Sequence, residues 1–208
     1  MRLTVFSPAH QLWRRFAPAA VTGALTAGLC TAALAALPAH LTPAGWDAIA
    51  KFDANAQATN SVPWTRAQCA QQIGTSSDPE VRGVLGICDD SAKAAVWSLG
   101  FAVGCANLAT ASAASRAKCA AALTSLGANL SAAAQWAGWF VARLGPGGCH
   151  NEFAYMQSGL TQITSVIAHF ASDLRRGAPT NQLLSDQRHF ESVASSSSPA
   201  ANFAACKP

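Results

Sequence analysis

The sequence predicts an all-α fold, a disulfide-stapled antiparallel helical bundle with three main helices and shorter flanking helices. Apolar residues recur at alternating spacings of three and four over long stretches, whereas the sustained two-residue alternation of a strand is absent. Alanine, the strongest helix former, is abundant. Six cysteines follow a segment that reads as an export signal, and an even set of cysteines in an oxidising compartment reads as disulfides.

The chain opens MRLTVFSPAHQLWRRF, with Arg2, Arg14 and Arg15 and no acidic residue. APAAVTGALTAGLCTAALAALPA follows without a charge. A basic start, an apolar stretch and a small-residue site make the pattern of a secretory signal peptide. Ala33-Leu34-Ala35 supplies the A-x-A site, and Leu37-Pro38-Ala39 a poorer one beyond it. The expected organisation is a signal peptide over 1–39, a linker with a short helix over 40–66, a helical bundle over 67–194 and a flexible tail over 195–208 ending in a cysteine anchor. Cys30 leaves with the signal, so Cys69, Cys88, Cys105, Cys119, Cys149 and Cys206 remain. Without the three arginines the chain holds eleven basic against ten acidic residues. That near-neutral balance lacks the clustered basic face of a nucleic-acid binder.

The elements follow in order. TPAGWDAIAKFDANAQ predicts a short helix with Thr42 as cap and Pro43 in its first turn, and SDPEVRGVLGIC another start with Asp78 capping. Three longer helices are expected near 89–111, 115–144 and 151–176. In the third, Phe153, Met156, Leu160, Ile163, Ile167, Phe170 and Leu174 form a seam, and Arg175, Arg176 and Gly177 suit its end. The second repeats the spacing with Cys119, Leu123, Leu126, Leu130, Ala137 and Leu144, widened by Trp136, Trp139 and Phe140. The first carries Trp97, Phe101, Gly104, Cys105 and Leu108 on one side, with Gly100 and Gly104 expected to admit a close partner helix. TNQLLSDQRHFESV reads as a last short helix. Cys88, Cys119 and Cys149, 31 and 30 residues apart, suggest three degenerate copies of a cysteine-plus-helix unit.

Connectivity can be argued from helix geometry. A hairpin turning near Ser112 sets Cys105 and Cys119 each about seven residues from the turn, at similar heights, so they should pair. The second helix then returns Cys149 towards Cys88, leaving Cys69 for Cys206. Cys69–Cys88 with Cys149–Cys206 is the alternative.

GGCHNEFAYM gathers Cys149, His150 and Glu152 and invites a catalytic reading. Adjacent residues on a helix point about 100° apart, however, and a Cys–His enzyme needs a free thiol. A disulfide anchor with Asn151 as helix cap is expected instead. His169 and Asp173 read as an i,i+4 surface pair. The sequence shows no HExxH, GxSxG or P-loop pattern, no paired carboxylates in an apolar setting and no zinc spacing, so neither a cofactor nor a metal is expected. Asn129-Leu130-Ser131 is a candidate glycosylation site, although Leu130 lies on a seam.

A non-catalytic secreted or lumenal module is therefore expected, binding an unknown protein partner or an apolar small molecule, or serving a structural role. Trp46, Trp64, Trp97, Trp136 and Trp139 either line an apolar groove or fill space left by alanines. One alternative is a membrane-anchored protein that keeps its N-terminal segment and inserts AAAQWAGWFVARL. Membrane contact is expected only if the N-terminal segment is uncleaved. A hydrolase with an unassigned site is a second alternative.

Overall fold

The fold is described by a computed structural model over residues 37–57, 65–196 and 203–208. Residues 1–36 of the expected signal peptide, 58–64 with Trp64, and 197–202 of the expected tail lie outside these. The described residues form six helices and no strand: α1 (Pro43–Gln57), α2 (Arg66–Ile73), α3 (Pro79–Gly104), α4 (Ala113–Arg143), α5 (Gly148–Arg176) and α6 (Thr180–Ser196), followed by a 3₁₀ turn at Phe203–Cys206. The all-α, disulfide-stapled bundle is what the sequence predicts.

Short connections fold α3, α4 and α5 back on one another as successive antiparallel hairpins. The seam of α5 is core: Phe153, Met156, Ile163, Ile167, Phe170 and Leu174 are buried, as are Cys119, Leu123, Leu126, Ala137 and Phe140 of α4. One core cluster joins α1, α2, the start of α3, the end of α4 and the start of α5, where Phe140 stacks on Phe153 at 4.1 Å and Phe153 meets Phe203 at 5.1 Å. The second joins the end of α3, the start of α4, the end of α5 and α6, with Phe101 edge-on to Phe190 at 5.1 Å. AAAQWAGWFVAR closes α4 with Leu144 as its C-cap, and Ala133, Ala134, Ala137 and Phe140 within it are buried. No helix of the described residues is long and apolar enough to cross a membrane.

Helix starts follow the capping signals. Asp78 accepts from the backbone N–H groups of Glu80 and Val81 and caps α3. Glu80 is itself buried and reaches across to α1, where it accepts from the Thr42 backbone N–H at 2.7 Å and the Thr42 hydroxyl at 2.9 Å. A carboxylate at the positive end of α1 is favourably placed.

Four expectations change. The helix beginning at Asp78 does not stop near Cys88 but runs on to Gly104, so Cys88 lies mid-helix rather than opening a unit, unlike Cys149 at the start of α5. Gly104 lies in ordinary contact with the Cys119 backbone of α4 and Gly100 meets only Trp97 of its own helix, so the tightest approaches fall elsewhere. A Cβ at Gly86 would lie 2.2 Å from the Trp136 ring and one at Gly83 2.9 Å from Phe140, whereas nothing nearer than 3.9 Å faces the other two. Asn151 is not the cap of α5, which begins behind Gly147 without a side-chain cap.

The fourth change is connectivity. Cys105–Cys119 forms as the hairpin argument requires, with Ser112 as N-cap of α4. The other bridges are Cys69–Cys88 and Cys149–Cys206, the alternative pairing. The Cys88–Cys149 expectation assumed that Cys88 opened its helix. Nine residues of α3 precede it, about 13 Å of rise. The unforeseen α2 instead lays Cys69 beside it, Cα to Cα 5.9 Å.

Candidate functional site

Cys149, the thiol a Cys–His enzyme would need, is bonded to Cys206. The neighbouring His150 ring holds its Nδ1 3.2 Å from the Leu144 carbonyl and so ties the turn before α5. Asn129 lies half-buried on α4 and donates its side-chain amide to the Ser125 carbonyl at 2.8 Å, a contact that a glycan on that nitrogen would have to break.

The tryptophans divide. Trp46, Trp136 and Trp139 pack against the first core cluster, and Arg143 lies over the Trp139 ring at 4.5 Å. Trp136 and Trp139 meet edge to face at 6.5 Å. An open depression of about 770 Å³ beside α4 and the end of α5 is lined largely by alanines with Arg116 and Arg175, and by no tryptophan.

Trp97 belongs to another surface. The second half of α3 exposes Val96 at 65%, Leu99 at 60% and Val103 at 83%, with Trp97 at 41% beside them. Spacings of three and four set Val96, Leu99 and Val103 on one stripe. Opposite it, Ala94, Phe101 and Cys105 are buried in the second core cluster, so the helix is apolar on both sides while only one is covered. The stripe lies in a run without charged side chains from Ala94 to Ser115.

Comparison with protein-family models, curated proteins and solved structures finds no match. The residues themselves must carry the reading.

A third group joins α5 to α6. Asp173 and Asp186 are both buried, at 3% and 6% exposure, beside Phe170, Leu174, Leu183 and Phe190 of the second cluster. This corrects the expectation that no paired carboxylates occur in an apolar setting. It also corrects the surface-pair reading for Asp173, although His169 is exposed. His169 Nε2 lies 3.7 Å from Asp173 Oδ2 and 4.0 Å from Asp186 Oδ1. Arg176 donates to Asp173 and holds that carboxyl below the usual carboxylate range. Burial, followed by the charge of Asp173, pushes Asp186 above it. Asp186 escaped notice because nothing in the period of α5 announces a partner carried by the next helix. The Gly177 turn, in the left-handed conformation at φ 68°, is the visible signal that α6 folds back.

Proposed function

We propose that the chain is a non-catalytic, exported helical module that binds a protein partner through the exposed stripe of α3. The stripe carries the reading. An apolar face on an ordered helix, uncovered while its opposite side is core, is the form of a docking surface. Burial of a Val or Leu side chain contributes about 1.5–3 kcal/mol, so covering Val96, Leu99 and Val103 would supply the centre of a contact.

Export is supported by the basic start, the uncharged stretch and the A-x-A site, and three disulfides are consistent with an extracytosolic protein. Leu41 is buried and donates its backbone N–H to the Cys206 carbonyl, and Gly145 donates to the Pro38 carbonyl at 2.9 Å. The segment from Pro38 onward therefore packs with the bundle. That favours cleavage after Ala35, which leaves the segment whole, over cleavage after Ala39.

A photo-cross-linking residue at Val103, with a second at Thr161 as an exposed polar control, tests the docking face in the native host. Val103 should yield a discrete protein adduct that Leu99→Lys abolishes, and Thr161 should not. No adduct at Val103, or one indifferent to Leu99→Lys, removes the docking role.

A further inference from the structure

Two ionised carboxylates facing one another in a buried setting offer acceptors only, and they repel. Donors hold one oxygen of each. Arg176 donates to Oδ1 of Asp173, and Gln182 Nε2 donates to Oδ1 of Asp186 at 2.8 Å. The remaining Asp186 oxygen, Oδ2, is buried and meets no donor, on a residue only 6% exposed. An orphaned acceptor at that depth calls for a water, a proton shared with Asp173 or a cation.

The third side chain points to the cation. One ligand atom from each of His169, Asp173 and Asp186 lies within 4.8 Å of the others. Zinc holds nitrogen and carboxylate oxygen at about 2.0–2.2 Å, which separates tetrahedral ligand atoms by about 3.4 Å. The observed 3.7 Å and 4.0 Å from His169 Nε2 exceed that by about 0.3 Å and 0.6 Å, which the exposed imidazole can close, while the set as a whole, spread within 4.8 Å, has to contract around the ion. His169 and Asp173, four residues apart on α5, share the face that meets α6. Arg176 holds the Asp173 oxygen turned away from His169, and Gln182 fixes the Asp186 oxygen that faces it, as partners around a metal site do.

We propose that His169, Asp173 and Asp186 form a three-ligand site for a divalent transition-metal ion such as Zn²⁺, with a fourth position open to solvent. Imidazole beside two carboxylates suits Zn²⁺ over Mg²⁺ or Ca²⁺, which favour all-oxygen sets. The ion would clamp α6 to α5. The site does not depend on the docking role of α3.

The test is titration of the untagged, chelator-stripped chain with Zn²⁺ by calorimetry, alongside His169→Ala and Asp186→Asn. The parent should bind one equivalent. Each variant should lose at least about tenfold in affinity, and Co²⁺ in the parent should give the visible bands of a tetrahedral site. His169→Ala alters an exposed side chain and leaves the fold intact, so its result stands even if Asp186→Asn folds poorly. No binding by the parent at micromolar Zn²⁺, unchanged affinity in His169→Ala, or Mg²⁺ bound as tightly as Zn²⁺ each overturns the site. A shared proton or a water would then fill the space between the carboxyls.

Discussion

Gly86 shows how a single residue sets a helix contact. Its missing side chain admits the Trp136 ring, whose nearest atom would stand 2.2 Å from an added Cβ. Neither ring nor backbone can yield that distance without repacking, and overpacking of this kind costs about 1–3 kcal/mol. Gly86→Ala should therefore lower the melting temperature by several degrees with the disulfides intact, at about 2–4 °C per kcal/mol for a chain of this length. A melt within a degree of the parent would mean that Trp136 moves away freely. At this scale the sequence was legible wherever the reason for a residue lay in its own helix. The α5 seam is the clearest case, because its period alone identifies Phe153, Ile163 and Phe170 as core. Gly86 and Asp186 were not legible, because each owes its role to a side chain on another helix.

Among the elements, α4 and α5 stand within three residues of their expected ends, since long periodic patterns and end signals agree there. The break expected inside α3 does not exist. Separate starts are expected at Asp78 and near Asp89, but Lys93 bridges Asp89 and Asp90, at 2.7 Å and 3.4 Å, and the helix runs through. The hydrogen bond that Lys93 donates to Asp89 holds its ammonium above its ordinary pKa. The signal for α2 was present in Thr65-Arg66-Ala67-Gln68, a capping box whose Thr65 hydroxyl accepts from the Gln68 N–H while the Gln68 side chain accepts from Thr65 N–H. It is weak in sequence because only eight residues follow, too few to show a period. Thr65→Ala should cost about 1 kcal/mol, centred on α2. Hydrogen exchange checks it: the amides of Gln68 and Cys69 should exchange faster while those of α5 do not change. Uniform change across the chain would mean that α2 does not open by itself.

For the whole molecule, the bundle class was legible and the covalent map only partly so, because the map depends on α2. Two of the bridges lie in the first core cluster, where the described N-terminal residues, the start of α5 and the 3₁₀ turn meet. Cys149–Cys206 closes the longest loop, 57 residues, against 19 and 14 for the others. In the chain-entropy view it contributes about 4 kcal/mol and each of the others about 3. The structure thus rests on covalent links that form in an oxidising compartment, and their pattern follows from where α2, the α3–α4 hairpin and the 3₁₀ turn lie. Peptide mapping without reduction, on protein recovered outside the cytosol, reads that pattern directly. Cleavage after Arg82, Lys93, Lys118, Arg143 and Arg188 separates all six cysteines into different peptides. The expected products are the three linked pairs Cys69–Cys88, Cys105–Cys119 and Cys149–Cys206. Free thiols at these positions, or a Cys88–Cys149 product, would contradict the stapled bundle described here.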